Sequence, residues 1–375
     1  MATENNNKNL NVPNLRFPEF SGEWEKYRLK DIADISKERI GINMLSNNNY
    51  ISTENMKSDF GGVDVAINLP ASGNVIKFQK GDTLLSNIRP YLKKIWQAKF
   101  DGGCSADIFV FRSNILCNSD FLYYTLANEK FISYAMSGAK GVKMPRGDKE
   151  QILKYELHLP TTIEQNKITS FLSLLDERIA TQIKIIEDLK KLKSAIRAKV
   201  FKQLESSCEF WSEIGNMLQY EQPSKYLVTS TEYSDSYATP VLTANKAFIL
   251  GYTDEEFGIY SKGECVIFDD FTMDVKFVNF PFKVKSSAIK ILTANSGNDL
   301  YFVYEYLQNL GLVSEEHKRH YISEIEPMIV ACPTFEEQQN ISKLLRSFDN
   351  KIECANRELT LYNKQKQYLL SQMFI

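Results

Sequence analysis

Between Pro160 and Phe201 apolar residues recur at heptad spacing. Ile168, Leu175, Leu189 and Ile196 take one seam position, and Leu172, Ile179, Ile186 and Val200 the other. The pattern returns between Pro333 and Phe374, with Ile341, Phe348, Ala355, Tyr362 and Leu369 at the first position and Leu345, Ile352, Leu359 and Met373 at the second. Two long amphipathic helices are predicted, and stripes of this length are buried most simply against each other, as an antiparallel coiled coil. Lys193 and Lys366 interrupt the two seams at the same place, and Gln182 interrupts the first again. A polar seam residue fixes register at a cost in stability, so a shared one implies a shared geometry. Each helix opens with Pro-Thr and then Glu-Gln, which sets acid near the positive helix end. At a shift of 173 residues the copies share eleven identities without a gap, Glu164/Glu337, Gln165/Gln338, Asp176/Asp349 and Lys193/Lys366 among them, which marks a duplication.

Ahead of each helix the signals are mixed. Residues 1–22 read as an amino-terminal arm, poor in apolar residues and rich in Asn up to about Asn11 and therefore expected to be disordered there. From Val12 to Trp24 two prolines forbid a helix while Leu15, Phe17 and Phe20 offer themselves to a groove, so an extended, docked segment is expected. Residues 23–158 carry β-rich runs (Val75 to Phe78, Asp107 to Phe111, Leu157 to Leu159) broken by glycines, with one helix expected from Ser119 to Met136. A helical spacer over 159–206 ends in a hinge at Ser206-Ser207, and a second mixed domain over 207–331 precedes a second spacer over 332–375. The second domain answers the first in order. Lys80-Gly81-Asp82 matches Lys262-Gly263-Glu264, Phe121 to Leu126 matches Phe302 to Leu307, and Met144-Pro145-Arg146 matches His317 to His320 more loosely. The expected fold is α+β, two globular domains alternating with two long helices.

Composition removes several classes of function. With 45 Lys plus Arg against 47 Asp plus Glu there is no global basic field, and any nucleic-acid contact must rest on local patches. Six scattered cysteines without a CxxC pair, beside three histidines, point to neither a zinc site nor a disulfide framework and fit a reducing cytoplasm. No stretch is apolar enough to span a membrane, and Met1 to Leu10 does not read as a signal peptide, so a soluble, cytoplasmic protein is expected. There is no P-loop and no glycine fingerprint for a nucleotide or methyl donor. Asn279-Phe280-Pro281-Phe282 lacks the first proline of an adenine-methyltransferase motif, and Asp274-x-Lys276 and Glu316-x-Lys318 lack the upstream Pro-Asp of a nuclease. No catalytic residue, metal or cofactor is expected in this chain.

The order domain, helix, domain, helix resembles the specificity subunit of type I restriction-modification enzymes. The resemblance is carried by Leu15-Arg16-Phe17-Pro18-Glu19-Phe20 with Gly22-Glu23-Trp24, by Tyr50 to Met56, by Gly81 to Pro90, and by the Pro-Thr-x-x-Glu-Gln openings of both helices. It implies a non-catalytic DNA-binding subunit in which each recognition domain reads one half of a bipartite target and the helix pair sets the unread spacing. It further implies double-stranded DNA, two methyltransferase subunits and restriction/translocase subunits as partners, with S-adenosylmethionine, ATP and Mg confined to those partners. A helix of about 40 residues is roughly 60 Å long, more than one DNA turn of about 34 Å, which suits separate half-sites. From a different class, a coiled-coil adaptor binding other proteins fits the same helices, and an independent nuclease is a third reading.

Within that frame the candidate DNA contacts are charged and planar donors beside aromatics. In the first domain they are Lys77, Asn87, Arg89, Tyr91, Lys93 and Lys94, with Lys140, Lys143 and Arg146 as a phosphate-binding loop and Ser52, Thr53 and Asn55 as a further reader. In the second they are Thr272, Lys276, Lys318, Arg319 and His320, with Thr243, Asn245 and Lys246 placed by analogy. Lys283, Lys285 and Lys290 extend this basic run, with no acid between Val275 and Lys290, and Asp269 or Asp270 are candidate acceptors from a cytosine amino group. Lys190, Lys191, Lys193, Arg197, Lys199 and Lys202 read either as a solvated helix face or as one turned to DNA or an acidic partner.

Overall fold

The computed structural model describes residues 11–141, 143–243, 247–314 and 318–375, so the expectation for residues 1–10 lies outside the described residues. The chain divides into two compact units. Unit 1 is Met1–Gln182 with Glu358–Ile375, and unit 2 is Ile183–Arg357.

In unit 1, β1 (Glu25–Arg28) is followed by α1 (Leu29–Ile32), β2 (Ala33–Ile35), β3 (Arg39–Gly41), β4 (Tyr50–Ile51) and β5 (Asn74–Phe78). Then come β6 (Thr83–Ser86), β7 (Ile95–Gln97), β8 (Gly102–Cys104) and β9 (Ile108–Ser113). They form two four-stranded sheets, β2-β9-β6-β7 and β3-β5-β8-β4. The single helix expected from Ser119 to Met136 is two helices, α2 (Ser119–Leu126) and α3 (Glu129–Ser137). Asn128 causes the break: its side chain accepts from Lys130 N as the cap of α3 and donates to the Leu370 carbonyl at 3.0 Å. After α4 (Lys149–Ile152), β10 (Glu156–Leu159) pairs antiparallel with β1 and brings the chain back to where the strands began.

The long helix α5 (Thr162–Ser207) leaves from there. The expected hinge at Ser206-Ser207 is helical, the last turn of α5, with both hydroxyls donating back to the Gln203 carbonyl. In unit 2, β11 (Trp211–Glu213), α6 (Ile214–Met217), β12 (Leu218–Glu221), β13 (Thr239–Leu242) and β14 (Ile249–Thr253) lead to β15 (Cys265–Asp269), β16 (Val275–Val278), β17 (Lys283–Val284) and β18 (Ile289–Ala294). The sheet β12-β18-β15-β16 repeats the order of β2-β9-β6-β7, and β14-β13-β17 is the second sheet. The helix α7 (Leu300–Leu310) follows, β19 (Ile329–Ala331) pairs with β11, and α8 (Phe335–Met373) completes the chain's elements. Gly81 and Gly263, matched in sequence, adopt left-handed backbone at φ of +95° and +100° just before β6 and β15, a conformation glycine takes without steric cost.

Each long helix contributes to both units. The first half of α5 shares unit 1 with the last turns of α8, so the two run antiparallel. Ile168, Leu172 and Leu175 of α5 and Leu369, Leu370 and Met373 of α8 enter one core with Phe111, Phe121 and Phe131. In unit 2, Phe201 and Leu345 join Phe268, Leu292, Phe302 and Tyr306. All the seam residues expected from the heptads are buried or half-buried.

The duplicated Gln165 and Gln338 join each helix to the strands and helices before it. Gln165 accepts from Asn118 N at 2.7 Å and donates to the Leu116 and Pro160 carbonyls. Gln338 accepts from Asp299 N at 2.9 Å and donates to the Pro333 carbonyl. Asn118 and Asp299 are themselves the caps of α2 and α7, so each glutamine stitches two helix starts together. A buried backbone N–H left without such a partner costs about 1–3 kcal/mol.

Candidate nucleic-acid interface

Three loops of unit 1 converge on the β6–β7 connection. Asn87 N donates to the Asp107 carbonyl, Arg89 N to the Pro145 carbonyl at 2.7 Å, and Gly147 N to the Asn87 carbonyl at 3.0 Å, which zips residues 87–89 to residues 145–147. On the other side Lys94 Nζ donates to the Thr53 carbonyl at 2.6 Å, while Asp59 N and Phe60 N donate to the carbonyls of Leu92 and Lys93. Pro90 opens a tight turn flanked by two non-glycine residues in left-handed conformation, Arg89 (φ +50°) and Lys93 (φ +54°), and Asp59 and Phe60 share it. Four such residues in contacting loops are costly, at about 1–3 kcal/mol each, and backbone of this kind concentrates at binding sites. Among the described residues, Asn87 Oδ1 and Arg89 Nε are buried without a hydrogen-bond partner.

The structure thus brings Asn87, Arg89, Tyr91, Lys93, Lys94, Lys140, Lys143, Arg146, Ser52 and Thr53 to one loop cluster. Tyr91 and Lys143 are exposed. Arg146 lies 3.2 Å from Asp107, Lys140 2.7 Å from Asp148, and Lys93 2.6 Å from Glu129, so these cations are placed by acids that leave them accessible to phosphate. Asn55 is in the cluster in another capacity: its amide donates to the Tyr50 and Asp64 carbonyls and its oxygen accepts from Ser52 N, which leaves it holding the loop rather than facing outward. Lys77 stands apart. It lies 3.5 Å from Glu38 in a network with Arg112 and Asp82, at the end of β6 away from the loops. Asp59 and Phe60 are not among the sequence candidates; their signal in the sequence is the Gly61-Gly62 pair that follows.

Unit 2 repeats the arrangement with different groups. Asp269 caps the β15–β16 turn by accepting from Phe271 N and Thr272 N, with Met273 left-handed at φ +58°. Asp270 accepts from His320 N and Tyr321 N and lies 3.6 Å from Lys290. This fixes the segment 318–321, which runs into a single π-helical turn (Tyr321–Ile325), beside the β15–β16 turn. Thr272, Lys318 and Arg319 are exposed there, Lys318 reaching Glu324 at 3.0 Å, and Lys276 is half-buried on β16. Thr243 closes its own loop by donating to the Ala247 carbonyl; Asn245, Lys246 and His317 lie outside the described residues.

Several expectations fail in unit 2 for one reason, burial. His320 is 2% exposed, its ring lodged between Ser314 Oγ at 3.0 Å and Glu324 at 2.9 Å. Asp269 and Asp270 are buried and committed to backbone N–H groups, so neither is free for a cytosine. Lys283 and Lys290, read as part of a basic run, are interior: Lys283 Nζ lies 2.6 Å from Glu255 and donates to the Phe257 carbonyl. A charge leaves water only when paired, and here both partners, Glu255 and Asp270, lie upstream of the acid-free run. Likewise Lys193 and Arg197 turn from solvent to Glu305, at 2.6 and 3.4 Å. Among the described residues no helix is long and apolar enough to cross a membrane.

A family model, type I restriction modification DNA specificity domain, matches residues 21–191 and again residues 211–361. The chain belongs to this DNA specificity family. The two matches begin just before β1 and at β11, so the family's repeating module is one set of sheets with the helix that follows. Among curated relatives, the type I restriction enzyme EcoR124I/EcoR124II specificity subunit of Escherichia coli is 41% identical over 176 residues, 44% of each chain. The putative type I restriction enzyme MjaX specificity subunit of Methanocaldococcus jannaschii is 25% identical over 260 residues, 59% of each. The matched segments thus span about half the length of these relatives. The solved S subunit of a type I restriction-modification system from M. genitalium superposes with a TM-score of 0.60 at 16% identity, covering 97% of this chain and 99% of that one. A chain from a type I R-M system, solved in a study of its complex assembly and conformational transition, gives 0.55 at 16% identity over 93% and 96%. These likenesses establish the shared fold.

Proposed function

We propose that this chain is the non-catalytic specificity subunit of a type I restriction-modification complex, in which each unit's loop cluster reads one half of a bipartite DNA target and the helix pair sets the spacing. The observation that carries this is the repeated β-hairpin turn, 87–94 in unit 1 and 269–274 in unit 2, each fastened to a second loop that presents arginine and lysine at the surface. Phosphate contacts by lysine hold register, while planar donors such as Arg89 and Asn87 read base edges. The two turns differ in their groups, Asn87, Arg89 and Pro90 against Asp269, Phe271 and Thr272, which supports two different half-sites. Methyl transfer to adenine and ATP-driven restriction would then belong to two methyltransferase subunits and to restriction subunits, together with S-adenosylmethionine, ATP and Mg.

Adenine-methylation sequencing in a host without such a system tests this. Expression with the cognate methyltransferase subunit should give a methylated split motif that neither protein gives alone. No new methylation from a demonstrably assembled pair would overturn the reading and favour an adaptor.

A further inference from the structure

Unit 1 shows what covers the start of a long helix in this fold. The extended residues 11–24 lie across it. Arg16 Nε and Nη2 each donate to Glu164 at 2.8 Å, Trp24 Nε1 donates to the same carboxylate at 3.3 Å, and Leu15 N donates to the Gln372 carbonyl. Phe17 packs edge-on against Phe171 at 5.8 Å, and Lys167 reaches Glu19 at 3.4 Å. Under this cover Trp24 is 2% exposed.

At the shift of 173 the corresponding positions on α8 are Glu337 for Glu164 and Leu344 for Phe171, and the register of the paired strands sets Trp211, opposite Ala331, against Lys26, opposite His158. Among the described residues nothing lies over this helix start in unit 2, where Leu344 is 43% exposed. Glu337 is exposed too, with its carboxylate folded back on Thr334 N and Oγ1 at 2.9 and 2.8 Å. The connection explains the difference. Only Cys208, Glu209 and Phe210 lie between α5 and β11, too short a link to run over the start of α8.

We propose that this face of unit 2 docks an extended segment of a partner polypeptide in which an arginine is followed directly by an aromatic residue. The guanidinium takes Glu337 from Thr334 as a bidentate partner, and the ring lies over Leu344, as Phe17 lies against Phe171 in unit 1. Unit 1 identifies the chemistry of the occupant, since the same helix start, with the same glutamate, is covered there by Arg16-Phe17-Pro18. The proposal is independent of which DNA bases are read.

A synthetic peptide of residues 11–24, carrying a fluorophore and a photoreactive group at the Phe17 position, tests it against the full chain. Saturable binding with cross-links within residues 329–344 is expected. Glu337→Lys should weaken binding about tenfold, the scale of a charged hydrogen-bonded contact, and a peptide with Glu at the Arg16 position should recover it. Leu344→Ala, on an exposed helix face, provides a second loss of binding that leaves the capping of α8 untouched. Absence of saturation up to about 1 mM peptide would overturn the proposal. So would cross-links confined to residues 164–171, which would mean exchange with the chain's own segment. Sedimentation of the chain alone as a dimer that Glu337→Lys dissociates would also overturn it, by making a second copy the occupant.

Discussion

Lys193 and Asp349 meet across the helix pair of unit 2 at 2.6 Å, and Lys366 and Asp176, each the duplicate of one of them, meet at 2.6 Å in unit 1 with the helices exchanged. A tyrosine completes each pair, Tyr301 on Asp349 and Tyr124 on Asp176 at 2.8 Å. The two interruptions of the seams are thus reciprocal locks that fix the antiparallel register. They differ in their surroundings. Lys193 also neutralises Glu305, whose side chain is fully buried, whereas Asp176 is about one-third exposed.

That difference sets the first expectation. Lys193→Ala leaves Glu305 with Arg197, at 3.4 Å, as its cation among the described residues and should cost about 3–5 kcal/mol, the scale for stranding a buried charge. Lys366→Ala should cost about 1 kcal/mol or less. Urea unfolding of the two variants, followed by circular dichroism, measures both. Equal costs would mean that the buried glutamate does not depend on Lys193.

In the loop cluster, charge and specificity should separate. Arg89→Ala is expected to lose about 1–3 kcal/mol of binding to the cognate sequence and to relax discrimination at one base position. Lys143→Ala should weaken binding to all sequences alike and reduce the salt dependence by about one phosphate contact. Fluorescence anisotropy with cognate and scrambled duplexes across a KCl series distinguishes the two outcomes.

Asp270 and Arg319 are close in the fold and should behave oppositely. Asp270→Ala removes the acceptor of the buried Tyr321 N–H and the partner of Lys290, while His320 N keeps the backbone carbonyl of residue 270, and should destabilise unit 2 by about 3 kcal/mol or more. Arg319→Ala, on the surface, should leave stability within about 0.5 kcal/mol and lower DNA affinity. Thermal melts beside the same binding assay read both effects.

Acid should loosen unit 2 through Glu255. Burial pushes this carboxyl up, but Lys283 at 2.6 Å, together with donors from Thr229 and Ser230, outweighs it and holds the group down at about 2, against an ordinary 4.5. Because the folded value is the lower one, the unfolded chain binds the extra proton. The stabilisation is complete above about pH 4.5 and is lost as pH falls toward about 2. Urea midpoints between pH 3 and 6 should drop more steeply for the natural chain than for Glu255→Gln.

The helices are legible in the sequence because a 3.5-residue period sustained over about forty positions suits little besides a paired helix, and the gapless second copy repeats it. The shared lysines announce a common geometry. Their acids are not legible, since Asp176 and Asp349 lie on helix faces that sequence alone leaves at the surface. The loop cluster is legible where it is local, as in the phrase running from Gly81 to Pro90. Lys283, Lys290 and His320 mislead because sequence reports charge and not depth: the acid-free run to Lys290 looks like a basic surface until Glu255 and Asp270 arrive from outside it. The break at Asn128 is hidden for a related reason, as half of what that side chain does depends on Leu370, far along the chain.

The sharing of two helices between two units bears on how the protein is made. The strands of unit 1 leave the ribosome early, yet Leu15, Asn128 and Lys130 bond to Gln372, Leu370 and Phe374, and residues 358–375 fill the core around Phe121. At about 5–20 residues per second, the nascent chain waits roughly ten to thirty-five seconds between Gln182 and Glu358 with that core open. Vectorial, first-half-first folding is therefore closed to this protein. Unit 1 is the first begun and the last finished, and synthesis that ends in α8 before Arg357 leaves a chain in which neither unit is complete.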